Sequence, residues 1–294
     1  MSGATGFVGS ALVDAALAAG HQVTALTRRD QPARDGVEWI SGALDRPEAL
    51  ATLAAGADAV IHVAGVINAD AAGFEAGNVA GTAAMLAAAK CAGVTRFVHL
   101  SSLAAREPGL SAYGASKARA EKLVEASPLA TVMVRPPAVY GPGDRETLDL
   151  FRMARFGVVA TPGSGRLSLI HVADLARLLP ALAASDTSGV VEPDDGRPGG
   201  WSHAEFGRAL GAAVGRKVAV LPLPRPVISL GAWLDRLVRG KRAKLTPDRV
   251  AYFYHPDWTV DPGKRPDPAL WRPEIDTATG LAATARWYRS EGWL

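Results

Sequence analysis

The sequence predicts an α/β fold: a doubly wound parallel sheet with a smaller C-terminal substrate lobe and a truncated first strand. Three observations carry that reading. Short β-branched runs alternate with alanine-rich helical stretches through the first two-thirds of the chain. A glycine turn, Gly3, Gly6 and Gly9, leads directly into a helical pattern over residues 7–19. After Arg135 the rhythm breaks, with Pro136, Pro137, Gly141, Pro142 and Gly143 crowded together and prolines recurring from Pro193 to Pro273.

Taken in order, the glycine turn comes first, and only Met1 and Ser2 precede it. Such a turn should follow a buried strand of about five residues. The expectation is that Met1 holds a strand position normally given to an aliphatic, and that the reading frame begins earlier or the chain has been cut. Strands are expected at residues 22–27, 37–41, 59–63, 96–100 and 130–135, with helices notably at 73–92 and 111–126. Near-continuous apolar runs such as Val60-Ile61-His62-Val63 suit strands buried on both faces. The division follows as residues 1–135 with 170–192 for the dinucleotide-binding domain, and 136–169 with 193–294 for the substrate lobe.

At 294 residues, 48% hydrophobic and 21% charged, the chain can bury one large core or two packed ones. The single cysteine, Cys91, excludes an internal disulfide and suits a reducing compartment. No signal-like start and no uncharged apolar run of about 18 residues is present, so a cytoplasmic protein without a membrane span is expected. The net charge is only +3, and much of the basic surplus sits in Arg236, Arg239, Lys241, Arg242, Lys244 and Arg249. A solvated helix end and loop is the plain reading of that run. An anionic membrane surface or an acidic substrate stays open beside it. Nucleic acid is not expected, because no recognition motif and no interleaved stacking aromatics occur. Just upstream, Val227, Ile228, Leu230, Trp233, Leu234, Leu237 and Val238 form an apolar helical face. Core or pocket lid is preferred there over membrane insertion.

The chemistry-bearing residues come in two sets. The glycine turn at a helix N-terminus suits a diphosphate, because backbone N–H groups face the anion and absent side chains admit it. The second set is Tyr113 and Lys117 in Tyr113-Gly114-Ala115-Ser116-Lys117, four apart and so on one helix face. Their helix follows the 96–100 strand, which ends in Ser101-Ser102, so a phenol, an amine and a hydroxyl converge at one sheet edge beside the dinucleotide. His171 and Asp174 invite a metal or triad reading, but a histidine anchoring a helix start is preferred. The six histidines show no zinc-like spacing, and no metal is expected.

With these motifs the chain resembles the extended short-chain dehydrogenases/reductases, the group of NAD(P)-dependent epimerases and dehydratases. The likeness runs through Gly3/Gly6/Gly9, His62-Val63-Ala64-Gly65, Asn78-Val79-Ala80-Gly81-Thr82, Leu100-Ser101-Ser102 and Tyr113 to Lys117. It continues through Arg135-Pro136-Pro137-Ala138-Val139-Tyr140-Gly141-Pro142-Gly143, Ile170 to Leu175, and the tail from Gly280 to Leu294. The resemblance implies a Rossmann domain in which Tyr113 is the general acid/base and Lys117 holds the nicotinamide ribose. Ser102 would bond the substrate oxygen, and Asn78 would order its helix or a relay water. Cofactor contacts would come from Gly3, Thr5, Gly6, Phe7, Val8, Gly9, Leu44, Ala64, Gly65, Pro136 and Val139, with Tyr113 and Lys117. A homodimer through the 73–92 and 111–126 helices is a further expectation from the resemblance.

Elementary electrostatics supports the tyrosine's role. A phenol of pKa ~10 near one ammonium at ~4–5 Å and an effective dielectric near 20 loses about 2–3 pKa units, which suits proton transfer near neutral pH. Arg28 and Arg29 stand at the end of the second strand, where an acidic residue would grip the ribose of NAD. NADP(H) is therefore preferred, with NAD(H) open. Relatives often place an acidic residue where Ala43 stands, so one adenine contact is expected to be missing. No asparagine or glutamine follows Asn78, whereas six of the seven tryptophans lie at or beyond Trp201. That suits a largely apolar alcohol/ketone substrate, as in the hydroxysteroid dehydrogenase and dihydroflavonol reductase branch. A nucleotide-sugar epimerase or dehydratase is the alternative enzyme, and a non-catalytic NADPH-binding subunit the alternative of another class.

Overall fold

The computed structural model describes residues 1–239 and 247–294. Lys241, Arg242 and Lys244 of the basic run lie outside the described residues, as do the side chains of Arg236, Arg239, Leu234 and Val238. The chain forms two compact units, one of residues 1–136, 172–193 and 263–272, the other of residues 137–171, 194–262 and 273–294.

The first unit is a parallel sheet covered by helices. Val23–Thr27 pairs with Val37–Ser41, and Ala59–His62, Arg96–Leu100, Ala130–Val134 and Gly189–Val191 follow one another in parallel. Met1 and Ser2 join the two groups. Ser2 N donates to Ile61 O and Val63 N to Ser2 O, both at 3.2 Å, while Leu26 N donates to Met1 O at 3.0 Å. Met1 and Ser2 thus take the expected first-strand place, held between Val23–Thr27 and Ala59–His62. All five residues of Arg96–Leu100 are buried, as a strand covered on both faces requires.

Helix Phe7–Ala18 buries Leu12, Val13 and Ala16. Val13 and Ala16 pack with Ala4, Val23 and Ala25. On another cluster, Leu50, Leu53, Met85, Leu86, Ala89 and Val124 meet Val60, Phe97 and Met133. Truncating one such fully buried leucine or methionine to alanine costs roughly 2–5 kcal/mol. The expected 73–92 helix is three segments in succession: Ala71–Phe74, a π-helical stretch Glu75–Ala80, and Gly81–Cys91. Residues 263–272, expected in the C-terminal lobe, pack with this unit instead. Trp271 Nε1 donates to Asp174 O at 3.1 Å, and Glu192 N to Lys264 O at 2.7 Å.

The second unit is more regular than its prolines suggest. Val158–Pro162 pairs in parallel with Ala219–Leu223, and Ala138–Tyr140 with Leu169–His171. Its core gathers Tyr140, Phe151, Leu169, Phe206, Leu210, Leu281 and Tyr288 from helices and strands far apart in sequence. Helix His203–Val214 starts with a capping box, in which Ser202 and Glu205 satisfy each other's backbone N–H groups. Of the two readings of helix Arg225–Arg239, core or pocket lid, the core one is not met: Val227, Leu230, Trp233 and Leu237 are exposed and take no part in this core. Hydrophobic periodicity identifies an apolar face but not what covers it, and here other helices close the core. No helix among the described residues is long and apolar enough to cross a membrane.

Candidate active site

The glycine turn is built by close approach. Gly3 has φ +79°, and a Cβ there would stand 2.6 Å from Ala64 N. A Cβ on Gly9 would stand 1.9 Å from Gly3 O, so only glycine lets the first helical turn close on the loop. Gly6 N donates to Gly3 O at 3.1 Å, and Gly6 is the N-cap of Phe7–Ala18. No side chain among the described residues caps that helix, and its first turn carries no acidic residue. Thr5 is exposed beside it. A cradle that a Cβ would fill, at an uncapped helix start, fits the diphosphate of a dinucleotide.

A buried polar chain runs from this loop to the tyrosine helix. Thr82 Oγ1 donates to Asn78 O at 2.7 Å, so it can only accept from His62 Nε2 at 3.1 Å. His62 therefore carries its proton on Nε2, and Nδ1 accepts from Ser2 Oγ at 2.7 Å. Asn78 Oδ1 accepts from Val66 N at 2.8 Å, while Nδ2 donates to Val66 O at 3.0 Å and Ser116 Oγ at 2.9 Å. Ser116 Oγ in turn donates to Tyr113 O at 2.7 Å. The π-helical stretch places Asn78 in this chain, and π-turns commonly interrupt helices at functional sites.

Lys117 is buried, and its Nζ donates to Leu100 O at 2.9 Å. A Cβ on Gly65 would lie 3.0 Å from Asn78 Oδ1 and 3.2 Å from Lys117 Nζ, so both groups converge on this glycine. Burial lowers the Lys117 amine to about 8, with Glu121 one turn later pulling the other way. Glu121 is itself gripped by Arg135 through Nε at 2.8 Å and Nη2 at 2.6 Å. Most of Lys117 stays charged at neutral pH. Tyr113 opens helix Ala112–Glu125 and sets its ring 5.9 Å from that of Phe74. Ser102 caps the short turn Leu103–Arg106, its Oγ accepting from Ala104 N at 3.2 Å and keeping its proton to donate. A Cβ on Gly114 would stand 2.6 Å from Ala104 O, so this glycine lets the tyrosine helix lie against the serine's turn.

His62 and His99 lie opposite each other in the sheet, rings stacked with centroids 5.6 Å apart. Burial, then the charge on Lys117, lowers His62 to about 3 and holds His99 well below the ordinary imidazole value. Both are neutral. Among the described residues, neither ring nitrogen of His99 has a hydrogen-bond partner, and nor does the buried Oγ of Ser101. Sequence reasoning assigned no role to Ser2, His62, Thr82, Ser116 or His99. The usable signal is a histidine within each of the strand runs Ala59–His62 and Arg96–Leu100, and a threonine one turn after Asn78.

The remaining expected contacts are less uniform. Arg28 and Arg29 are exposed just past Val23–Thr27, where Thr27 Oγ1 accepts from Arg29 N and donates to Arg29 O. Leu44 packs on the sheet's core and against Gly81, where an added Cβ would stand 2.5 Å from Leu44 Cδ1. Pro136 O accepts from Leu103 N at 3.0 Å. Val139 belongs to the second unit, within Ala138–Tyr140. His171 sets its ring edge-on to Tyr140 at 5.3 Å, while Asp174 pairs with Arg177.

Residues 1–192 match the model of the NAD dependent epimerase/dehydratase family. A ceramide reductase of Caulobacter vibrioides is 38% identical over 304 residues, covering 100% of this chain and 95% of that protein. A 2-alkyl-3-oxoalkanoate reductase of Stenotrophomonas maltophilia is 35% identical over 191 residues, covering 56% of this chain and 58% of its own length. The solved structure of MoeE5 in complex with UDP-glucose and NAD superposes with a TM-score of 0.75 at 23% identity, over 99% of this chain and 98% of the other. That last likeness is one of fold. Glycine cradle, buried lysine and family match converge, and the chain belongs to the NAD-dependent epimerase/dehydratase family of the extended short-chain dehydrogenase/reductase superfamily.

Proposed function

We propose that this chain is an NADP(H)-preferring oxidoreductase acting on a ketone/alcohol pair within a largely apolar, lipid-like substrate. The observation that carries the proposal is Lys117, buried and charged one helical turn after Tyr113, with Ser102 held against the same helix. When bound, the nicotinamide supplies or takes the hydride at C4. In the reducing direction Tyr113 Oη gives its proton to the carbonyl oxygen as that oxygen becomes an alkoxide. Ser102 Oγ, already accepting from Ala104 N, points its own proton at the same oxygen. Lys117 stabilises the phenolate left behind and would hold the ribose.

Arg28 and Arg29 support the choice of the phosphorylated cofactor, since guanidinium groups accommodate a ribose 2′-phosphate. The substrate class rests on the absence of side-chain amides after Asn78 and on full-length similarity to a protein named for ceramide reduction. The test combines NADPH with a ceramide whose secondary alcohol has been oxidised to the ketone, following NADPH absorbance. Consumption by the unaltered chain, abolished in Tyr113→Phe while NADPH binding stays within about twofold, is the expected result. Turnover that survives Tyr113→Phe would remove the tyrosine from the mechanism. Epimerisation of a nucleotide sugar in place of ketone reduction would move the substrate to the other branch.

A further inference from the structure

We infer that helix Arg225–Arg239 docks this protein onto an anionic lipid bilayer surface. Val227, Leu230, Trp233 and Leu237 are 51%, 58%, 57% and 63% exposed. Their spacings of three, three and four residues put all four on one side of the helix. Single exposed apolar residues are ordinary, but a stripe of four large ones along one helix marks an interaction surface.

Charge selects the occupant. Residues 225–244 contain Arg225, Arg236, Arg239, Lys241, Arg242 and Lys244 against a single acidic residue, Asp235. The segment is therefore +5 within a chain of +3, so the remaining residues sum to −2. The basic surplus is confined to the segment that bears the exposed stripe. A second copy of the chain docking stripe to stripe about a two-fold axis would oppose two such segments of like charge. An anionic headgroup layer is complementary to it instead, and apolar side chains that enter the acyl boundary need no protein partner. Fifteen residues at about 1.5 Å each give a helix of roughly 22 Å, too short to span and suited to lying in the interface.

The experiment is co-sedimentation of the full chain with phosphatidylglycerol vesicles and with phosphatidylcholine vesicles, at low and high salt. Binding to phosphatidylglycerol about tenfold tighter than to phosphatidylcholine, and weakened by salt, is expected. The double variant Leu230→Glu, Trp233→Glu should lose that binding by at least about tenfold while still binding NADPH, which reports its folding. No excess pelleting with phosphatidylglycerol overturns the inference, as does a folded double variant that binds like the unaltered chain. So does a variant whose sole change, by analytical ultracentrifugation, is conversion of a dimer to monomer. Lipid selectivity and salt dependence of the unaltered chain decide the matter even if the variant does not fold. None of these readouts depends on turnover, so docking and catalysis fail separately.

Discussion

Asn78 and Val66 pair as two strand residues would, the side-chain Oδ1 accepting from Val66 N at 2.8 Å and Nδ2 donating to Val66 O at 3.0 Å. A side-chain amide here does what a neighbouring backbone does in a ladder. It pins the loop after Ala59–His62 to the helix beside it, next to Gly65 and Lys117.

Asn78→Asp tests that pin. The carboxylate still accepts from Val66 N but donates to neither Val66 O nor Ser116 Oγ, and it faces a carbonyl oxygen across a bond-length gap. A loss of about 1–3 kcal/mol in denaturant unfolding is expected, with a fall in turnover. Unchanged stability would mean the amide pairing is incidental.

Gly9→Ala should weaken dinucleotide binding severely. Its Cβ would stand 1.9 Å from a backbone oxygen that has no flexible end to yield, so the loop or helix must shift. Roughly a hundredfold weaker NADPH binding by nicotinamide fluorescence is expected, equivalent to ~2.7 kcal/mol. Gly20→Ala is the control: with φ +82° and nothing within 4 Å it carries local strain only, about 1 kcal/mol, and leaves binding intact.

Lys117→Met should separate stability from activity. The folded amine titrates near 8, below its ordinary value of 10.5, so burying the ammonium penalises folding below pH 8. The sign follows: stability tied to this group is full above about 10.5 and falls as pH drops towards 8. Methionine removes that penalty and loses the bond to Leu100 O. A net gain of about 1–3 kcal/mol at pH 7, vanishing at high pH, should accompany loss of turnover. A variant destabilised equally at all pH values would contradict it.

Acid should unfold this protein through His62 and His99. Both are held neutral, His62 down to about 3, whereas an unfolded histidine takes a proton below about 6.5. The unfolded state binds more protons across that window, so stability falls as pH drops from about 6.5 towards 3. Each histidine contributes a slope of about 1.4 kcal/mol per pH unit. His99→Phe removes one of the two and also two partnerless ring nitrogens, so its stability should decline less steeply with acid. Chemical denaturation at a series of pH values measures both slopes.

The expected strands and the observed ones agree to within a residue or two, because each is a short β-branched run bounded by turn residues. The second unit is less legible in the sequence. Its prolines and glycines suggest irregularity, yet helices Leu148–Arg155, His203–Val214 and Thr277–Ser290 meet around Tyr140 and Tyr288. Tyr288 Oη donates to Asp144 O, 144 residues away in sequence, and no local pattern announces such a contact.

Local geometry is what the sequence by itself determined. Four-residue spacing places Tyr113 and Lys117 on one helix face, and a backbone that must turn with φ near +79° or admit no Cβ demands Gly3 and Gly9. Both follow from properties of a few consecutive residues. Tertiary structure alone decided that His62, Thr82, Asn78 and Ser116 form one hydrogen-bonded chain, since His62 comes from a strand, Asn78 and Thr82 from one helical run and Ser116 from another helix, and these meet only when the elements pack. It also decided the protonation of Lys117 and the exposure of Trp233, because burial is set by whatever the rest of the chain packs, or does not pack, against each side chain.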